Sequence, residues 1–268
     1  MDARAAPKLA VRDLVLDYLH PETGARHRAV EGLDLDVAAN EFLCVLGPSG
    51  CGKSTLLSAI AGFLRPTRGS IVMDGRPVTG PGAERGVVFQ EYALMPWMNV
   101  LDNAALGLKL RGVPRDERYD AARRFLALAN LVGVEHKYPH ELSGGMKQRV
   151  AVARTLANAP AVMLMDEPFA AVDAQTRMTL QEELGRIAAR SKLTVMFITH
   201  SVEEAIFLGD RVAVMTPGPG RIRTIVDVPF AREARSWSAL NADARFAALR
   251  EQLLALVRNG PGGAVREH

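Results

Sequence analysis

The sequence predicts an α/β fold: a core of largely parallel strands, an antiparallel β segment ahead of it, and a helical segment inserted within it. Three observations carry this prediction. Residues 42–46 (Phe-Leu-Cys-Val-Leu) and 162–165 (Val-Met-Leu-Met) are continuously apolar, as strands covered on both faces should be. A glycine-rich segment, Gly47-Pro48-Ser49-Gly50-Cys51-Gly52-Lys53-Ser54, joins the first of these strands to a helical pattern. Between about residues 91 and 158 the apolar residues recur mainly at helical spacing, and strand-helix alternation then resumes.

In chain order, residues 9–15 and 33–37 alternate apolar and polar side chains, the pattern of half-buried antiparallel strands. The strand at 42–46 and its glycine-rich turn lead into a helix over about 53–63. Residues 71–73 and 86–89 are further strands, with turns at Asp74-Gly75 and Pro81-Gly82. Phe125, Leu128, Ala129 and Val132 mark the apolar face of the helical segment. Strands follow at 162–165, 194–199 and 212–215, and a final strand pair turns at Pro217-Gly218-Pro219-Gly220 and runs over 221–228. Ser201 and Glu204 form a capping-box pattern, so a helix starts just after His200. That places His200 at the carboxyl end of a strand, the edge where open α/β sheets bind ligands. Phe246, Leu249, Leu253, Leu256 and Val257 give a C-terminal amphipathic helix, and residues 259–263 a frayed tail.

The bulk numbers exclude several classes. The 268 residues, 48% hydrophobic and 24% charged, have an ordinary globular composition and room for a sizeable core. A net charge of +3, with no long Lys/Arg run, argues against nucleic acid as a partner. Two cysteines, Cys44 and Cys51, fit a reducing compartment and no disulfide framework. Residues 1–12 lack an apolar signal core, and no apolar run approaches the roughly 20 residues that span a bilayer. Work at a membrane would then proceed from the cytoplasmic side, through another protein.

The chemistry concentrates in three segments. Residues 47–54 fit G-x-x-x-x-G-K-[ST] between a strand and a helix. Gly50 and Gly52 let backbone N–H groups turn toward phosphate oxygens, Lys53 is expected to reach the β- and γ-phosphates, and Ser54 to ligate Mg²⁺. Asp166, delivered by an apolar strand, is a second Mg²⁺ ligand, and Glu167 beside it polarises the attacking water. Alone, that acidic pair could equally cap the next helix. In Leu142-Ser143-Gly144-Gly145-Met146-Lys147-Gln148-Arg149, a serine and two glycines open a helix whose N–H groups and dipole suit a γ-phosphate. Ser143 taken alone could equally be an ordinary N-cap.

Together these segments resemble the ATP-binding subunit of ATP-binding-cassette (ABC) transporters, over about residues 9–228. The resemblance implies a P-loop NTPase (RecA-like) core with an antiparallel β subdomain and an inserted helical subdomain. The ABC ATPase domain is expected over 8–230, with the helical subdomain at about 91–158. A C-terminal helical extension and tail follow at 231–268, with no separate regulatory domain. Gln90 resembles the glutamine that contacts Mg²⁺ and water and senses the membrane partner. His200 resembles the histidine at the γ-phosphate. Asp173 resembles the aspartate at the dimer seam, where Val172 is a mild departure from the family pattern. ATP is expected along Gly47, Pro48, Ser49, Gly50, Cys51, Gly52, Lys53, Ser54 and Thr55. Tyr18 resembles the aromatic stacking on adenine, with His20 as the competing candidate. Ser143, Gly144 and Gly145 then cover the ATP of a second copy, so two ATP molecules close a head-to-tail dimer and hydrolysis releases it.

Thr79-Gly80-Pro81-Gly82, the run Arg85-Gly86-Val87-Val88-Phe89-Gln90-Glu91-Tyr92-Ala93-Leu94, Pro96-Trp97, Leu101-Asp102-Asn103 and Tyr138-Pro139-His140 are similar to the nitrate/sulfonate/taurine group of bacterial importers. This implies two integral-membrane permease subunits, an extracytoplasmic (periplasmic) solute-binding protein, and a peripheral place on the cytoplasmic face of the inner membrane. Leu94, Met95, Pro96, Trp97 and Met98 would receive a permease helix. The alternatives are a soluble ABC ATPase acting on nucleic acid or ribosomes, an exporter ATPase, and a small-molecule kinase. The first would show long insertions or tandem cassettes, the second fused membrane spans. The third would not need the Ser143 segment.

Overall fold

The computed structural model describes residues 6–19, 24–170 and 172–258. In chain order the elements are β1 (Leu9–Leu19), β2 (Arg26–Val37), β3 (Phe42–Leu46), α1 (Lys53–Ala61), β4 (Arg68–Met73), β5 (Arg76–Pro77) and β6 (Arg85–Val88). Then come α2 (Val100–Leu110), α3 (Arg115–Leu128), α4 (Gly144–Ala157), β7 (Val162–Asp166) and α5 (Ala174–Arg190). The chain ends with β8 (Val195–Thr199), α6 (Val202–Leu208), β9 (Arg211–Met215), β10 (Ile222–Asp227), α7 (Trp237–Asn241) and α8 (Ala244–Arg258). They form two units, one of residues up to Gly82 together with those from Lys192 onward, the other of Ala83–Ser191.

The first unit holds an antiparallel sheet in the order β2-β1-β4-β5. Strands β1 and β2 run longer than the alternation at 9–15 and 33–37 predicts. Register shifts after Val11, Leu14 and Leu16 interrupt the period-2 signal that would have revealed their full length. The unit also contains β3 with parallel β8 and β9 on its two sides, and β10 antiparallel to β9. Every residue of β3 and β8 is buried, and the rings of Phe42 and Phe197 meet at 5.8 Å, which explains their unbroken apolar sequences. The C-terminal segment is fixed to this unit. Half-buried Arg235 donates to the carbonyls of Phe207, Gly209 and Phe230, Trp237 stacks on Phe207 at 4.4 Å, and α8 buries Phe246, Leu249 and Leu253. The tail at 259–263 lies outside the described residues.

In the second unit β6 and β7 pair in parallel, and α2, α3 and α4 enclose an apolar cluster that includes Val100, Ala104, Leu126 and Val150. Here the predicted face holds in part, with Ala129 buried and Phe125 packed against the cluster. Ala122, Leu126 and Ala129 are buried, whereas Leu128 is 43% and Val132 73% exposed. The helix ends at Leu128 and Asn130 turns left-handed (φ 54°), so the helical period does not extend to Val132. Residues 91–99 are not helical either, and Asn103 shapes them instead. Fully buried, its amide donates to the carbonyls of Met95, Met98 and Asn99 and accepts from the Met95 N–H.

Candidate functional site

The first unit carries Tyr18, the phosphate loop and His200. The loop leaves the end of β3, and Gly50 (φ 75°) and Gly52 (φ 93°) take left-handed turns. Gly52 has no alternative, since a Cβ there would lie 2.6 Å from the Ala29 carbonyl oxygen. On its other flank a Cβ on Gly220 would lie 2.1 Å from the Cys51 carbonyl oxygen, while the Gly220 N–H donates to the Ala29 carbonyl at 2.8 Å. The loop is therefore gripped by the backbone of β2 and of the segment before β10. Gly52 caps α1 without a side chain, which leaves the helix start to backbone N–H groups, the arrangement that receives anions. Lys53 is 5% exposed, and its ammonium donates to the Gly47 and Pro48 carbonyls at 2.8 and 3.0 Å, bridging the loop it follows. Ser54 is exposed and Thr55 half-buried. Cys51 is buried, so its thiol fills space rather than facing solvent.

His200 is placed by strand register. Leu46 and Thr199 are partners across β3 and β8, so Gly47 and His200 each emerge one residue past the same rung. His200 is exposed at that edge. Ser201 accepts from the Glu204 N–H at 3.2 Å and starts α6, as its capping pattern predicts. Tyr18 is 45% exposed on β1, opposite His27, and the two rings meet at 4.9 Å. His27 has no motif around it and becomes visible only through the β1–β2 pairing. His20 lies outside the described residues.

The second unit carries the other candidates, again by register. Val88 pairs with Met165. Gln90, two residues past Val88, and Glu167, two past Met165, thus leave the same edge of the β6–β7 pair. Gln90 is exposed beyond the end of β6. Asp166 closes β7 half-buried, and Glu167 is left-handed (φ 42°), a strained turn that carries its carboxylate off the strand line. Among the described residues no three His, Cys, Asp or Glu side chains cluster so as to hold a metal. In this unit the Asp166 carboxylate and the Gln90 amide oxygen, and in the first unit the Ser54 hydroxyl, are each hard oxygen donors of the kind that Mg²⁺ takes.

The remaining pair sits at two helix starts that touch. Ser143 N-caps α4, accepting from the Met146 N–H at 3.3 Å. Asp173 N-caps α5, accepting from the Thr176 N–H at 3.0 Å, a bond that holds its carboxyl below the usual carboxylate range. Buried Gly145 lets the helices meet, since a Cβ there would lie 2.7 Å from Thr176 Cγ2. Sequence reasoning missed Arg154 near the end of α4. Its guanidinium donates to the carbonyls of Ala93 and Tyr92 at 2.6 and 3.1 Å, tying the helix that Ser143 caps to the loop that follows Gln90.

The model of the ABC transporter family matches residues 30–170, more than half of the chain. The chain belongs to the ABC transporter family. It is 52% identical to the taurine import ATP-binding protein TauB of Chromobacterium violaceum over 235 residues, covering 87% of this chain and 90% of that one. With TauB of Rhizobium johnstonii the identity is 48% over 253 residues, 92% and 97% of the two chains. A dimeric ATP-binding cassette solved in a post-hydrolysis state with ADP and Pi superimposes with a TM-score of 0.72. It is 28% identical and covers 83% of this chain and all of its own. The fold is thus the P-loop NTPase cassette, and the subunit is an ATP-binding, ATP-hydrolysing one coupled to transport. No helix among the described residues is long and apolar enough to cross a membrane.

Proposed function

We propose that this chain is one of two identical ATPase subunits of an importer for taurine or a related small anion such as another sulfonate or nitrate. The identity of about half its residues to TauB proteins over nearly their whole length carries the reading. In it, the subunit lies on the cytoplasmic face of the membrane against two permease subunits, and an extracytoplasmic binding protein supplies the solute.

Within each subunit the phosphate loop from Gly47 to Thr55 holds ATP by its inward N–H groups, Lys53 neutralises the β- and γ-phosphates, and Tyr18 stacks on the adenine. Ser54, Asp166 and Gln90 would hold Mg²⁺, which would supply charge to offset the phosphates. Glu167 takes the proton of the attacking water, and His200 donates to the γ-phosphate that its strand edge faces. Ser143, Gly144, Gly145 and Asp173 complete the site of the other copy. Binding of ATP to the closed dimer in preference to the open one drives closure.

Co-purification with the permease and reconstitution into liposomes tests this reading. Taurine with its binding protein should raise ATP hydrolysis severalfold, and Glu167→Gln should abolish hydrolysis while ATP-dependent dimerisation persists. Normal turnover by Glu167→Gln would remove Glu167 as the base. Stimulation by an unrelated solute alone would remove the substrate class.

A further inference from the structure

Gln148 is three residues past Gly145 on α4, and it is fully buried. Neither its amide nitrogen nor its amide oxygen has a hydrogen-bond partner. A buried amide costs stability unless something satisfies it, so this position calls for a partner. Gln148 lines a cavity of about 20 Å³ between α4 and α5, where one water needs roughly 10–15 Å³ by the same measure. The other polar groups on that cavity are Arg149 and Glu183. Glu183 Oε2 and Arg149 Nε are shielded from solvent and without hydrogen-bond partners of their own, while Arg149 spends another N–H on the Asn130 carbonyl. The remaining wall is apolar, with Phe169, Leu184 and Ile187. Partial burial pushes the Glu183 carboxyl up, and the Arg149 charge counteracts it. Two to four polar partners around a volume of this size describe a hydration site.

We propose that one ordered internal water bridges Gln148 on α4 to Glu183 on α5, and that Gln148 thereby acts as a positioning residue for the two helix starts at Ser143 and Asp173. The water accepts from the Gln148 amide N–H and donates to the Glu183 carboxylate oxygen. It lies beyond the tight Gly145–Thr176 contact, on the same pair of helices. The contact sets how closely the helices approach, and the bridge sets their register. The functional half of this inference rests on Ser143 and Asp173 completing the neighbouring copy's site.

The test uses the full chain. In the wild type, the Gln148 side-chain amide should show a nuclear Overhauser effect to a water resident for longer than nanoseconds, and absence of such a water overturns the bridge. Gln148→Met removes both polar atoms at similar volume. With a bridging water present it lowers the unfolding temperature, whereas without one it relieves two unsatisfied atoms and raises it, so the sign decides. ATP affinity of the dilute monomer should stay within about twofold, while ATP-driven dimerisation in a Glu167→Gln background falls about tenfold. Unchanged dimerisation in Gln148→Met, with the parent still dimerising, overturns the positioning role alone. A parent that never dimerises overturns the reading of Ser143 and Asp173 instead.

Discussion

Gly145→Ala isolates what the close approach of the two helix starts contributes. A Cβ at residue 145 would stand 2.7 Å from Thr176 Cγ2 and 3.9 Å from a Leu180 methyl. Carbon atoms rest at about 3.5–4.0 Å, so the first contact is short by roughly 0.8 Å. Thr176 resists swinging aside, because a β-branched side chain in a helix has few rotamers and its hydroxyl is hydrogen-bonded to Asp173. The helices must part. Helix propensity favours alanine over glycine by about 1 kcal/mol, whereas overpacking costs about 1–3 kcal/mol. Net stability should therefore fall by no more than about 2 kcal/mol, and the variant should fold. Geometry is the larger loss, since a displacement near 1 Å at a reacting site can cost about 100-fold in rate. Steady-state ATP hydrolysis should drop at least about tenfold, and Thr176→Ser, which deletes the offending methyl, should restore most of it in the double variant. Full activity in Gly145→Ala, or no rescue by Thr176→Ser, would refute the packing account.

Other expectations follow from single contacts. Gly52→Ala sets a Cβ against the Ala29 carbonyl in a left-handed residue, so equilibrium binding of a fluorescent ATP analogue should weaken at least about tenfold. Asn103→Leu removes the side-chain bonds to the carbonyls of Met95, Met98 and Asn99 and to the Met95 N–H, and urea unfolding should show a loss of about 2–3 kcal/mol. Arg154→Ala should leave hydrolysis by the isolated subunit within about twofold yet remove stimulation by the permease. Asp173 has a depressed carboxyl, so its contribution to folding is complete above the ordinary value of about 3.9 and disappears as pH falls below it. Acid unfolding of Asp173→Asn, which keeps an accepting oxygen, should accordingly be less steep in that range.

Legibility in the sequence followed the range of the interaction. The phosphate loop, the strand edge at Asp166 and the caps at Ser143 and Ser201 are written in consecutive residues, because each depends on one turn of backbone and its own N–H groups. Strand lengths were less legible where bulges in β1 broke the alternation, and the apolar face of α3 was read on to Val132 because the left-handed residue that follows the helix, Asn130, leaves no apolar signal. Contacts made across long separations left no local pattern. His27 meets Tyr18 only through pairing, Ala29 and Gly220 grip the loop from 20 or more residues away in either direction, and Arg154 reaches back to residues 92 and 93. Cys51 illustrates the same limit. Its place in the motif invites alkylation, but its burial means that a reagent must first open the loop.

The second unit contains both a strand edge and a pair of helix starts, and the packing between them is unusually intolerant. A Cβ on Gly86 of β6 would sit 2.5 Å from Thr155 Cγ2 and 2.9 Å from Pro160, so α4 lies directly on β6 with no side chain between. Thr155 satisfies its hydroxyl on the Ala151 carbonyl of its own helix, and Arg154 in the same turn holds the carbonyls after Gln90. A close-packed contact transmits displacement because it cannot absorb it. The loop at residues 92–98, where Trp97 stands 70% exposed, is therefore tied to α4, whose first turn Ser143 caps. Gly145 extends the same close packing to α5, which Asp173 caps. The glycines at 86 and 145 thus do a mechanical job that their backbone angles do not demand. They remove the compliant side chains that would otherwise separate the loop at residues 92–98 from two residues proposed to act on a second copy's nucleotide.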